Sequence, residues 1–231
     1  MATMQPDSTT PLQVMLLHGL HMHAWAMLPT ARRLQAHGIE CRRFGYYSVV
    51  HTLKQHTSRL ADAVHAYYRR HREPLHFVCH SMGGIVLRHF AANYPELIRG
   101  RCVTLATPHL GSLAADRLHR YARPLIGHAY RRALDGDVPP WPAQFDLGCI
   151  AGNRHLGLGL AVGLYRGGDG TVLLAETRPE NCRDYLVLPV SHSGILADQN
   201  AARQTAYFLR HGRFLHTDNT AESAAPTPQA T

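Results

Sequence analysis

Short apolar runs alternate along the chain with segments whose apolar positions recur every three or four residues. Leu12–Leu17, Ile39–Phe44, Leu75–Cys79, Arg101–Ala106, Phe145–Ala151 and Tyr185–Val190 are of strand length, and several end on Gly, Pro or Ser turn signals. Between the first two, Ala24 to Ala36 fits a helix stopped by Gly38 in the C-cap position. Leu53, Thr57, Leu60, Val64 and Tyr67 share one face, predicting an amphipathic helix over residues 51–72 that ends before Pro74. Gly83 to Tyr94 is apolar nearly all round, which places that helix centrally. A closing helix from Ala197 to Leu209 puts Ala201, Thr205, Phe208 and Leu209 on one side. Strands that alternate with helices predict an α/β fold: one mainly parallel sheet of about six strands, with helices on both faces.

A break in this rhythm carries information of its own. Between Pro108 and Phe145 the composition shifts toward Arg, His, Gly and Pro, and residues 109–144 read as a cap or lid inserted between strands. Ser112 can cap a helix there, with Leu118, Tyr121, Ala122 and Leu125 on one side. The expected organisation is a flexible N-terminus over 1–11, one domain over 12–215 and a disordered polar tail over 216–231 rich in Ala, Thr and Pro. A chain of 231 residues can bury a full core as a single unit.

Charge and cysteine content narrow the function classes. The net charge of +8 raises the question of a polyanion, but the arginines are dispersed and no nucleic-acid module signature occurs, so no nucleic-acid partner is expected. No apolar segment is long enough to predict a membrane span. Met1 to Pro11 lacks a basic region followed by an apolar one, and the five cysteines show no C-x-x-C spacing. Both features suit reduced thiols in a cytoplasmic protein. His18, His21 and His23 invite a metal reading, yet no acidic or cysteine ligand stands nearby to complete a set, and no metal is expected.

Chemistry concentrates where an apolar strand meets the small-residue turn His80-Ser81-Met82-Gly83-Gly84. A serine on a sharp strand-to-helix turn has its Oγ lifted above the sheet, and small neighbours make room for the strained backbone. Ser81 is thus a candidate nucleophile, with Gly83 supplying room. The usual glycine two positions before the serine is replaced by Cys79.

Together with other segments, this turn resembles the α/β-hydrolase superfamily of lipase and esterase type. Leu16-Leu17-His18-Gly19-Leu20, with Trp25 downstream, is similar to its oxyanion segment. Leu105 to Ser112 resembles the strand-to-cap junction of lipase-like and inositol-deacylase-like members. Gly168-Asp169-Gly170-Thr171-Val172 and Val190-Ser191-His192-Ser193-Gly194 resemble the acid and histidine segments. The resemblance implies a Ser81, Asp169, His192 triad, oxyanion donors on the backbone of Leu20 and Met82, and substrate contacts at His21, His80, His109 and Leu110. It also implies hydrolysis of a small-molecule ester or lipid with no cofactor.

Each assignment has a plainer rival. Asp169 lies among glycines and fits an ordinary turn, while Asp146, Asp184 and Glu176 are alternative acids, Asp184 standing before the last strand and so at the wrong sheet edge. Trp25 reads as a packing anchor rather than a substrate platform. Thioesterases, amidases and acyltransferases use the same triad, and a noncatalytic lipid- or protein-binding module on the same fold is a reading from another class.

Overall fold

The computed structural model describes residues 11–121, 127–156 and 167–216. Six strands, β1 (Leu12–Leu17), β2 (Ile39–Phe44), β3 (Leu75–His80), β4 (Cys102–Leu105), β5 (Leu147–Gly152) and β6 (Asp184–Leu188), form one sheet in the order β2-β1-β3-β4-β5-β6. Every pairing is parallel, so all six carboxyl ends share one edge. The strand order reverses between β1 and β3, and in open α/β sheets ligands bind beside such a reversal.

Alternation along the strands sorts the core into two layers. Met15, Leu17, Leu75, Phe77 and Cys79 face α2 (Leu53–Tyr68) and α3 (Met82–Asn93). Val14, Leu16, Val78 and Val103 face α1 (Leu28–Gln35) and α5 (Gln199–His211). With both faces covered, the central strands are buried along their length, whereas the edge strand β2 exposes Glu40, Arg42 and Arg43. A fully buried ring such as Phe77 or Phe208 contributes about 1.5–3 kcal/mol by leaving water.

Local signals set most element ends. Thr52 and Gln55 form a reciprocal capping box that starts α2, and Asp198 accepts from the Ala201 N–H to start α5. Gly212, at φ +70°, ends α5 in the left-handed conformation that glycine adopts without strain. Pro189 has no N–H to pair, and β6 stops at Leu188 rather than running on to Val190.

Three expectations require correction. The helix expected from Ala24 is a 3-10 turn over Ala24–Met27, and α1 begins only at Leu28, with Pro29 in its first turn and Ala36 rather than Gly38 as C-cap. Trp25 sits on that 3-10 turn, 69% exposed, and anchors no packing. The Ser112-capped helix α4 (Leu113–Tyr121) forms, and Ser112 Oγ accepts the Ala115 N–H at 3.2 Å. Its apolar face, however, turns Leu118 toward the core and leaves Tyr121 82% exposed. Ala122 and Leu125, residues 1–10 of the expected N-terminus and 217–231 of the expected tail lie outside the described residues.

Candidate active site

Ser81 follows β3 directly and precedes α3, at φ +51° and ψ −123°. A non-glycine residue at positive φ is strained, and the surroundings fix it there: its N–H donates to Leu105 O at 2.9 Å, and its carbonyl accepts from Thr107 Oγ1 at 2.9 Å. Room for the turn comes from glycine. A Cβ on Gly83 would lie 2.6 Å from the His18 carbonyl oxygen, and one on Gly84 would collide with the Thr107 hydroxyl. Cys79 needs no such allowance, because its side chain points into the core layer beneath α2 and α3.

His192 lies in the loop after β6, and its Nε2 is 3.1 Å from Ser81 Oγ. Its Nδ1 is 2.8 Å from Asp169 Oδ2. Because a carboxylate only accepts, Nδ1 carries the imidazole proton and Nε2 presents its lone pair to the serine hydroxyl. Asp169 is buried, and its other oxygen accepts the N–H groups of Thr171 and Val172 at 2.9 and 2.8 Å. A turn of this kind is what the Asp-Gly pair suggested, and here it also aims the carboxylate. The His192 N–H donates to the Asp169 carbonyl at 3.1 Å, which ties the two loops at the backbone as well.

His80 extends this arrangement from below. Its Nε2–H donates to the His192 carbonyl at 2.9 Å, and burial, then the neighbouring His192, depresses its pKa to about 3. The ring lies against Gly19, where a Cβ would stand 2.9 Å from His80 Nδ1. The Met82 N–H, first in α3, has no intrahelical acceptor, and the Leu20 N–H makes no backbone hydrogen bond among the described residues. The Leu20 segment is held by a neighbour that no sequence pattern singles out. Tyr46 stacks on His18 with ring centroids 4.2 Å apart, donates its hydroxyl to the His18 carbonyl at 2.7 Å and its N–H to His18 Nε2 at 3.3 Å. The remaining proton of His18 sits on Nδ1, facing Gly19 O at 2.9 Å, so both ring nitrogens have protein partners. Ser48 Oγ accepts from the His21 N–H at 3.0 Å, and the His21 side chain is exposed.

The serine aminopeptidase S33 family matches residues 10–136, a span that includes Ser81 and its turn. The chain belongs to this family. Among curated proteins none matches its sequence. Solved structures with the same fold include the mature Bacillus licheniformis lipase BlEst2, at 20% identity and TM-score 0.67 over 90% of this chain and 94% of that one. The metagenomic carboxyl esterase MGS0156 matches at 14% identity and TM-score 0.60, covering 89% of this chain and 76% of its own. Phospholipase PlaB from Legionella pneumophila, in complex with thio-NAD, matches at 18% identity and TM-score 0.58 over 73% of this chain and 44% of its own. Identities this low establish a shared α/β-hydrolase fold. Asp169 and His192 fall outside the span of the family match, and the geometry above is what brings them to Ser81 in this S33 hydrolase.

The other candidate positions divide. Leu110 is exposed in the β4–β5 connection, whereas the rings of His80 and His109 are fully buried and line no open surface. His109 Nε2 meets Thr104 Oγ1 at 3.0 Å inside the core, because its backbone turns inward at the junction. Of the alternative acids, Asp146 pairs with Arg101 and Arg183 at 3.1 and 2.5 Å, and Asp184 accepts from the Phe214 N–H at 2.6 Å. Both stand at the opposite end of the sheet from Ser81. The Glu176 carboxylate accepts the Leu113 N–H at 2.7 Å and the Leu173 N–H at 2.9 Å, and so joins the Asp169 loop to the first turn of α4. Burial raises its pKa. Arg88 holds the other side of the β4–β5 connection in this S33 hydrolase. Buried on α3, it donates to the His109 carbonyl at 2.6 Å and, through Nε, to the Pro139 carbonyl at 2.9 Å, clamping both ends of the insertion to the helix that starts beside Ser81.

Proposed function

We propose that this protein is a serine hydrolase of carboxylic esters, in which Ser81, His192 and Asp169 act as nucleophile, general base and orienting acid. The observation that carries this reading is the unbroken chain of short contacts, Ser81 Oγ to His192 Nε2 at 3.1 Å and His192 Nδ1 to Asp169 Oδ2 at 2.8 Å. As Ser81 Oγ bonds to the ester carbonyl carbon, its proton passes to His192 Nε2, and the carbonyl π pair moves onto oxygen. The Met82 and Leu20 N–H groups receive that oxyanion, each worth roughly a hundredfold or more in rate. Collapse expels the alkoxide, which takes the proton from His192. Water then repeats the sequence on the acyl-Ser81 ester and releases the acid. Asp169 keeps the Nδ1 tautomer in place and stabilises the imidazolium formed at each step.

The acyl group is read from what surrounds the carboxyl edge of the sheet. Trp25, Tyr47, Val50, Leu110, Leu113 and Leu156 are large apolar side chains left exposed there, on segments that follow four different strands. Such a concentration supports a medium-chain or lipid acyl substrate over a small polar one. Turnover of p-nitrophenyl octanoate is expected to exceed that of the acetate by about tenfold or more, as one to two methylenes in an apolar site already contribute that factor. A steep preference for acetate would overturn the lipid reading. Faster cleavage of an aminoacyl p-nitroanilide than of every ester would overturn ester hydrolysis itself.

A further inference from the structure

Away from Ser81, a cleft of about 610 Å³ opens between the first turn of α2, the last turn of α3 and the cap turn that follows Gly127. Its walls carry Lys54 from α2 and Thr52 that caps it, His89 and Asn93 from α3, and His128 and Arg131 from the cap. Lys54 is the single lysine of the whole chain. Among the described residues no Asp or Glu lines the cleft, and neither the Lys54 ammonium nor the Arg131 guanidinium makes a hydrogen bond or ion pair with one of them. The cap turn is seated here by its backbone: the His128 N–H donates to the Val49 carbonyl at 3.1 Å, and a Cβ on Gly127 would collide with that same oxygen.

We infer that this cleft is a binding site for a phosphate group, either free or carried by a small organic molecule, distinct from the ester-cleaving site. Two cations, Lys54 and Arg131, line the cleft with no acidic side chain beside them among the described residues, and the energy of bringing like charges together is offset when an anion occupies the space between them. The side chains also offer mainly donors. An arginine fork and an ammonium present eight N–H groups and no acceptor, a pattern that matches phosphate oxygens. Leu53 and Tyr94 add apolar wall, and the volume falls within the range of small-molecule sites, so an organic body fits beside the phosphate. Because the lining comes from α2, α3 and the cap, occupancy joins the cap turn to the two helices of the core. The cleft holds this role whichever ester the protein cleaves.

Calorimetric titration of the full chain with inorganic phosphate and with glycerol 3-phosphate, at constant ionic strength against a chloride control, tests the site. Saturable binding of at least one of them is expected, weakened at least about tenfold in Lys54→Ala/Arg131→Ala. Tighter binding of glycerol 3-phosphate assigns the site to an organic phosphate, and equal binding assigns it to the free ion. The double variant should keep wild-type circular dichroism and ester turnover; Lys54→Gln, a milder change, should lose part of the affinity. Absence of saturable binding by either probe, or equal affinity in wild type and a folded double variant, would overturn the proposal.

Discussion

Ser81→Ala and His192→Ala should each lower kcat for a p-nitrophenyl ester by about 10⁶, and the double variant should be no worse than either alone, since the two groups act as one unit. Asp169→Asn should lose somewhat less, about 10⁴, because the serine and imidazole remain but the preference for the Nδ1–H tautomer is gone. KM should change little in all three, as none of these groups is assigned to ground-state binding. The steady-state kcat and KM of each purified variant, beside its circular dichroism, are the measurements that check this. A Ser81→Ala protein that retained a tenth of wild-type turnover would show that the hydroxyl 3.1 Å from His192 Nε2 is not the nucleophile.

Mild acid should unfold this protein. Five of the buried histidines, His18, His56, His76, His80 and His109, have a lowered pKa, and burial is the leading cause for each. His56 and His76 fall to about 4 and His80 to about 3, against the ordinary 6.5 that they regain on unfolding. Below pH 6.5 the unfolded chain takes up protons and the folded one does not, so stability present above 6.5 is lost as pH falls toward the folded values. At pH 4 His76 and His80 each remove up to about 3 kcal/mol and His56 less, since solvent screens it more, so together they take a large part of the stability of an ordinary domain. Urea unfolding between pH 8 and pH 4 should therefore show a nearly flat free energy above pH 7 and a steep fall below about pH 6. His56→Leu should flatten that slope by close to one proton. A free energy unchanged from pH 7 to pH 4 would contradict the account.

The three side chains that lie within hydrogen-bond reach of one another were each marked by their local sequence. Ser81, Asp169 and His192 each sit in a turn whose small or polar neighbours announce a backbone that leaves a strand, and the α/β alternation delivers all three to one sheet edge. The element pattern was equally plain, because both sheet faces are covered and the central strands β1, β3, β4 and β5 are mostly apolar and buried. What stayed hidden depends on contacts between distant positions. Arg88 clamps the Pro139 carbonyl, Glu176 caps the turn at Leu113, and Tyr46 packs on His18; no periodicity encodes those meetings. His80 and His109 show the opposite error. Nearness to the site along the chain suggested substrate contact, but a residue at a strand end or junction turns to either face, and both rings turn inward. Trp25 misled in the same way, since the apolar spacing around it fitted a helix that Pro29 delays by four residues.

The central claim is that Ser81 is an activated nucleophile, and covalent labelling with a fluorophosphonate probe tests it most directly. The wild-type protein should gain one adduct by intact mass, mapped to the peptide carrying Ser81, and the adduct should vanish in both Ser81→Ala and His192→Ala. Failure of the folded wild type to label, with or without detergent, or an adduct on another residue that survives Ser81→Ala, would contradict the account.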